Sequence, residues 1–321
     1  MIVTNNSGID DVFLRLHERY NKQRQQSIES RESGDPWDHK VSITELINPL
    51  QITLLRDANI DNVQTDLNNL LPSILGSAVH EALALTDPGN PLSLAEERLY
   101  IEVNGTVVSG QPDRIFKEPN KFRVYKNSGS VWVNKSWSIQ DYKFTGAYST
   151  FNPKDEWAQQ LNCYAYLARH GKTNAGDTLD LDVKNLFVTA IVRDFNRNNL
   201  GRTNYPQSWV VDIEIPLWSE EEQKEFIETK VSEYQNALAT FKETGETPKC
   251  SEKDRWSMGG GFAVMKPNRK TAVKLFDAAK EAQEYADDIP TAYVESRTVK
   301  YNRCANYCDA FKFCEQAMET K

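Results

Sequence analysis

The chain has 321 residues, 39% of them hydrophobic, and its 38 lysines and arginines face 46 aspartates and glutamates for a formal charge of −8. That length suits one large domain or two moderate ones, and no run approaches the ~18 apolar residues that a membrane-spanning helix needs. The acidic balance argues against a protein coated in nucleic acid but leaves room for a confined groove. Residues 1–10 lack a basic start and an apolar stretch, so we expect no signal peptide and a cytoplasmic protein. A helix is predicted over residues 10–29, where Val12, Phe13, Leu16 and Tyr20 form one apolar stripe, followed by a Gly-Asp-Pro break within residues 31–37. Further helices are predicted over 42–56 and 73–85, the latter capped by Ser73 after Pro72. Strands follow over 98–103, 106–116, 121–125, 130–133 and 137–143, with Asn104-Gly105 as a hairpin turn. Asn152 and Pro153 open a helix that carries Asp155 and Glu156 in its first turn and stops at Gly171. Strands over 185–193 and 209–215, a helix over 219–242, and a hairpin with a helix within 259–288 complete an α/β pattern with helical material at both ends.

Chemistry concentrates in four places. In the strand over 137–143, side chains alternate, so Asp141 and Lys143 share a face with Ile139 while Gln140 and Tyr142 point the other way. A carboxylate and an ammonium together on a buried face carry a desolvation cost. They suit a site that holds a divalent metal beside a water; an i,i+2 pair on a solvated strand is the plain alternative. Gly76, His80 and Ala84 share one helical face, which leaves space around the imidazole for a metal or a phosphate, unless the ring is a core histidine. Asp113 follows Pro112, which removes a ladder donor and marks an edge or a bend. Gln160 and Tyr164, four apart on a helix, can hydrogen-bond a phosphate or orient a neighbour.

The order of these signals is helix with histidine, strand with aspartate, strand with Asp-x-Lys, helix with Gln-x-x-x-Tyr. It resembles the RecB-like branch of the PD-(D/E)XK nucleases, which includes nuclease domains of recombination helicases, CRISPR-associated exonucleases and phage exonucleases. The resemblance rests on Gly76 to His80, Gly110 to Asp113, Asp141-Tyr142-Lys143 and Gln160 to Tyr164, plus the C-terminal cysteines. It implies an α/β fold with a restriction-endonuclease-like core, a mixed central β-sheet flanked by helices. The implied domains are an N-terminal helical region over 1–72, the nuclease core over 73–216 and a C-terminal helical, cysteine-bearing lobe over 217–321. His80, Asp113, Asp141 and the Tyr142 carbonyl would bind one or two Mg2+ or Mn2+ ions, and Lys143 would orient or deprotonate the attacking water. Gln160 and Tyr164 would hold the substrate backbone. The implied activity is a DNA exonuclease of recombination, repair or replication, in a bacterium or a phage-infected host, acting alone or with a helicase or a single-strand annealing protein. A catalytically silent DNA-binding scaffold and an RNA or nucleotide phosphodiesterase are the alternatives. The stretch between Asp113 and Asp141 is long for the family and carries an extra hairpin around Asn127-Ser128-Gly129.

Five cysteines without an export signal argue against a disulfide framework. Cys304, Cys308 and Cys314 read as metal ligands, and Cys250 is the best fourth. The resemblance implies a [4Fe–4S] cluster, with zinc or free thiols as alternatives. The family's commoner first spacing is C-x2-C and its first ligand usually lies near the N-terminus, whereas this chain has C-x3-C and no cysteine before Cys163. Tyr301, Tyr307, Phe311 and Phe313 are expected to shield the centre, and Cys163 is expected to be a small core residue.

Overall fold

One proline and one cap decide how the helices of the first hundred residues differ from their predicted bounds. The computed structural model describes residues 2–27, 41–86, 92–117, 122–126, 129–133 and 136–319. Helix α1 (Asp11–Ser27) forms as expected, and the break at 31–37 lies outside the described residues. The helix expected over 42–56 is two helices, α2 (Ile43–Ile47) and α3 (Leu50–Ala58). They part at Asn48, whose ψ of 156° is extended, because the ring of Pro49 clashes with a helical residue before it. Helix α4 (Leu67–Ala84) begins at Leu67 and not at Ser73. Its cap is Asp66, whose side chain accepts from the Asn68 N–H at 3.1 Å, and Pro72 is carried inside the helix. One strong cap outweighs the single backbone donor that the proline lacks.

The chain divides into two units, Met1–Leu50 with Ile60–Glu246, and Gln51–Asn59 with Thr247–Lys321. In the first unit the labelled elements are β1 (Ser93–Ala95), β2 (Leu99–Val103), β3 (Thr106–Gly110), β4 (Arg114–Lys117), β5 (Trp137–Thr145), α5 (Asp155–His170), β6 (Val183–Val192), β7 (Val210–Ile215) and α6 (Glu220–Thr244). A five-stranded sheet runs β7-β6-β5-β4-β1. Only β5 and β6 are parallel in it; a parallel pair needs a crossover, which α5 supplies. Strands β2 and β3 form a four-stranded sheet with Lys172–Thr173 and Val41–Ser42. The run 106–116, predicted as one strand, is therefore two strands in two sheets, and the chain passes between them at Gln111, Pro112 and Asp113. The extra hairpin pairs Phe122–Lys126 with Gly129–Val133, and Asn127 and Ser128 lie outside the described residues.

Helix α5 packs against both sheets. Leu161, Leu167 and Ala168 are fully buried, as are Ile139 of β5 and Leu186 and Val188 of β6. Asn162 is buried among them and fully satisfied. Its amide donates to the carbonyls of Ala158 (2.9 Å) and Pro216 (3.0 Å), and its Oδ1 accepts from the Trp218 N–H (2.8 Å) and from Gln223 Nε2 (3.3 Å). This one side chain ties α5 to the start of α6, which is closed by a capping box between Ser219 and Glu222. Helix α6 belongs to this first unit, so the boundary expected at residue 217 moves to Glu246.

The second unit is not the helical lobe expected from the sequence. It holds β8 (Ser257–Gly259), β9 (Phe262–Met265), β10 (Lys274–Phe276), α7 (Ala279–Asp287), β11 (Tyr293–Ser296) and β12 (Val299–Tyr301). Strands β10-β9-β11 form an antiparallel sheet, and β8 pairs with β12. Ala282 and Ala286 of α7 are buried with Val264, beside Phe262, Phe276 and Tyr285. Strands this short leave no periodic signal. Gly259, Gly260 and Gly261 all have positive φ, and a Cβ at Gly261 would lie 2.5 Å from the Phe276 carbonyl oxygen, so that sharp corner requires glycine. No helix among the described residues is long and apolar enough to cross a membrane.

Replacing Asn162 with alanine removes the buried partner of the Trp218 N–H, the Pro216 carbonyl and Gln223 Nε2. Asn162→Ala is expected to lower unfolding stability by about 2–3 kcal/mol; an unchanged urea midpoint would show that the tie is dispensable.

Candidate active site

Strand β5 carries the centre of the site. Ile139 and Asp141 are buried on one face, Asp141 at 3% exposure. Lys143 Nζ lies 2.7 Å from Asp141 Oδ2, yet that oxygen accepts no well-directed hydrogen bond. The ammonium touches it by charge while donating to Gln160 Oε1 at 3.0 Å, and Gln160 Nε2 donates to the Tyr164 hydroxyl at 2.9 Å. A single chain, Asp141–Lys143–Gln160–Tyr164, thus runs from β5 into α5. Burial pushes the Asp141 carboxyl above its usual range; Lys143 opposes that shift and Asp113 adds to it.

Asp113 sits at the bend between the two sheets and is buried. Its Oδ2 accepts from the Tyr142 N–H at 2.6 Å, and its Oδ1 lies 3.2 Å from His80 Nδ1. His80 Nε2 is 2.8 Å from the Tyr142 carbonyl. A carbonyl only accepts, so Nε2 carries a hydrogen and Nδ1 faces the carboxylate. Burial works against the imidazolium, but Asp113, with smaller contributions from Asp141 and Glu96, holds its pKa above the ordinary value. One turn before His80, a Cβ at Gly76 would meet nothing within 4 Å, so this glycine is not required by close packing. The residues expected to ligate a cation (His80, Asp113, Asp141 and the Tyr142 carbonyl) are therefore linked through neighbouring contacts around the middle of β5. Asp113, Arg114 and Tyr142 line a cavity with Leu83, Ala84, Thr86 and Ala95.

Two residues stand differently from the sequence reading. Tyr164 is 4% exposed, and its ring lies so close to Gly110 that a Cβ there would be 2.8 Å from Tyr164 Cε1. Its hydroxyl, a hydrogen-bond partner of Gln160, is raised in pKa by burial. A phosphate contact needs an accessible hydroxyl, so the structure puts Tyr164 behind Gln160 and not at a substrate. Glu96, which the sequence did not single out, joins the site from the turn between β1 and β2. One ligand atom each from His80, Glu96 and Asp113 all lie within 4.8 Å of one another. Burial and then Asp113 raise the Glu96 carboxyl to about 7. No periodicity marks Glu96; only the pairing of β1 with β4 brings it to Asp113.

In the second unit, Cys250, Cys304, Cys308 and Cys314 line one cavity with Gln51, Ile52, Leu55, Arg255 and Arg303. The Cys250 N–H donates to Gln51 Oε1 and to Gln316 Oε1. Burial pushes the Cys250 thiol up to about 12, with Asp254, Cys308 and Cys314 adding to it, and the Cys308 thiol up to about 11. Thiols that disfavour each other's ionisation become good ligands once a cation shares their charge. The expected aromatic shield is absent from the lining. Ile52 and Leu55 of α3 take that place, while Tyr307 is 65% exposed and Tyr301 lies under the Arg255 guanidinium at 3.3 Å. Cys163 is buried in α5, in the other unit, and its thiol is pushed up by burial.

No protein-family model and no curated protein matches the chain. Among solved structures it is similar to the one titled "Crystal structure of SSO0001", at 14% identity over 73% of this chain and 95% of that one, with a TM-score of 0.43.

Proposed function

We propose that this chain is a divalent-cation-dependent nuclease of RecB-like PD-(D/E)XK type, with a restriction-endonuclease-like core, that hydrolyses phosphodiester bonds in DNA. The observation that supports it most is the meeting of residues 80, 113, 141–143 and 160 around one strand, in the roles such hydrolysis needs. The donor set of one imidazole, carboxylates and a backbone carbonyl suits Mg2+ or Mn2+. Asp141 Oδ2, buried without a well-directed hydrogen bond, fits a ligand atom. When bound, the cation would lower the pKa of a water and offset charge on the phosphate. His80 would ligate through Nδ1, with its ring oriented by the Nε2–H bond to Tyr142. The Tyr142 carbonyl, beside His80 Nε2, would be a further oxygen ligand. Lys143, held between Asp141 and Gln160, would keep its ammonium where a water attacks, and Gln160 with Tyr164 would fix the lysine rotamer. No covalent intermediate is required, because positioning and electrostatics carry the step. A helicase or annealing partner, and a place in recombination, repair or replication, are further parts of this proposal.

Asp113→Ala, Asp141→Ala and Lys143→Ala are each expected to cut hydrolysis of end-labelled DNA in Mg2+ by about 10²-fold or more. Wild-type activity in Asp141→Ala would overturn the site. Gln160→Ala separates positioning from phosphate contact: the cleavage rate should drop by roughly 10-fold while DNA affinity in EDTA stays unchanged. A loss of DNA affinity without a loss of rate would return Gln160 to the substrate.

For the second unit we propose a [4Fe–4S] cluster on Cys250, Cys304, Cys308 and Cys314. The four cysteines line one cavity, which supports one shared centre for them. Anaerobically purified protein should be brown and carry about four irons per chain. Cys308→Ala should lose both colour and iron; colourless protein with one zinc would make the centre a zinc site.

A further inference from the structure

Glu96 is held in place by more than its own side chain. Its φ of 55° lies in the left-handed region, which a non-glycine residue adopts only when its surroundings impose it. Both of its backbone groups are fixed: the N–H donates to the Asp113 carbonyl at 3.1 Å, and the carbonyl accepts from Gln111 Nε2 at 2.8 Å. Arg98, a nearby cation, donates to Gln111 Oε1. Asp113 and Gln111 therefore determine both ends of the peptide from which the Glu96 carboxylate departs. That carboxylate is half-buried and points at Asp113 and His80, close enough for all three to offer an atom within one 4.8 Å group.

Two carboxylates brought together out of water repel each other, and the backbone bonds around Glu96 keep its carboxylate at that place. A small dication between them removes the repulsion and uses the nearby Nδ1 of His80 as its nitrogen donor. We propose that Glu96 is a direct ligand of the bound divalent cation, joining His80 and Asp113 on the α4 side of β5. The inference rests on the cation-binding half of the nuclease reading and is independent of what the site cleaves.

Mn2+ binding to the full chain without DNA, read by isothermal titration and by the loss of the free-ion electron paramagnetic resonance signal, tests it. Glu96→Gln, which keeps size and removes charge, is expected to weaken Mn2+ binding by at least about 10-fold, with an unchanged far-ultraviolet spectrum. Glu97→Gln, the adjacent control, should leave affinity at the wild-type value. If Glu96→Gln does not fold, Glu96→Asp, which withdraws the carboxylate by one carbon, is held to the same criterion. Wild-type Mn2+ affinity in the folded Glu96 variant overturns the inference, and so does a wild-type chain that binds no Mn2+. A chain that binds Mn2+ through Glu96 yet cuts no DNA keeps this inference and rejects the nuclease instead.

Discussion

Asp113 is the residue on which the first unit's site depends. One oxygen accepts the Tyr142 N–H of β5, the other faces His80 of α4, and its own carbonyl accepts the Glu96 N–H. A strand, a helix and a turn are thus brought to one carboxylate. Pro112 makes this possible, because a residue that cannot donate to a ladder lets the chain leave one sheet and enter another. The aspartate that follows is free of regular pairing in β3 and β4 and can serve its neighbours. A helical or fully paired aspartate would have fewer directions open to it.

On the other face of the site the connections are different in kind. Asp141, Lys143, Gln160 and Tyr164 form a linear relay between a strand and a helix, both packed in the core. A lysine has several rotatable bonds, and each one left free blurs where its ammonium sits. Contacts from Asp141 on one side and Gln160 on the other remove that freedom. Tyr164, closed off by the tight approach of Gly110, gives Gln160 a fixed hydroxyl to lean on. The contacts on the α4 side concern ligands and those on the α5 side concern the ammonium.

Much of this was legible in the sequence because it is local and periodic. The alternation in β5 assigned Asp141 and Lys143 to one face, and the i,i+4 spacing put Gln160 beside Tyr164; the hydrogen bonds agree with both. The proline at 112 was read as a bend and is one. Pro49 splits a helix that the apolar pattern alone ran together, and Asp66 starts a helix earlier than the Pro-Ser pair suggested. Glu96 and the contribution of α3 to the cysteine cavity were not legible. Each depends on a partner distant in sequence: Glu96 reaches Asp113 through the pairing of β1 with β4, and Ile52 and Leu55 lie about two hundred residues before Cys250. In the second unit β9, β10 and α7 fall where a hairpin with a helix was expected, while β8, β11 and β12 escaped because runs of three or four residues show no period.

The second unit is discontinuous, and this affects the order in which the protein can be assembled. Gln51 bonds to Thr247, 196 residues away, so forming the second unit closes the chain between them into a loop. Closing a loop of that length costs about 5 kcal/mol of chain entropy. The thiols that complete the cavity follow α3 only after every strand of the first unit. Helix α3 must therefore wait, during synthesis, for a partner that arrives after every strand of the first unit has been made. Ile52 and Leu55 spend that interval without their cover, an opening for misassociation that a rapidly captured metal centre would shorten.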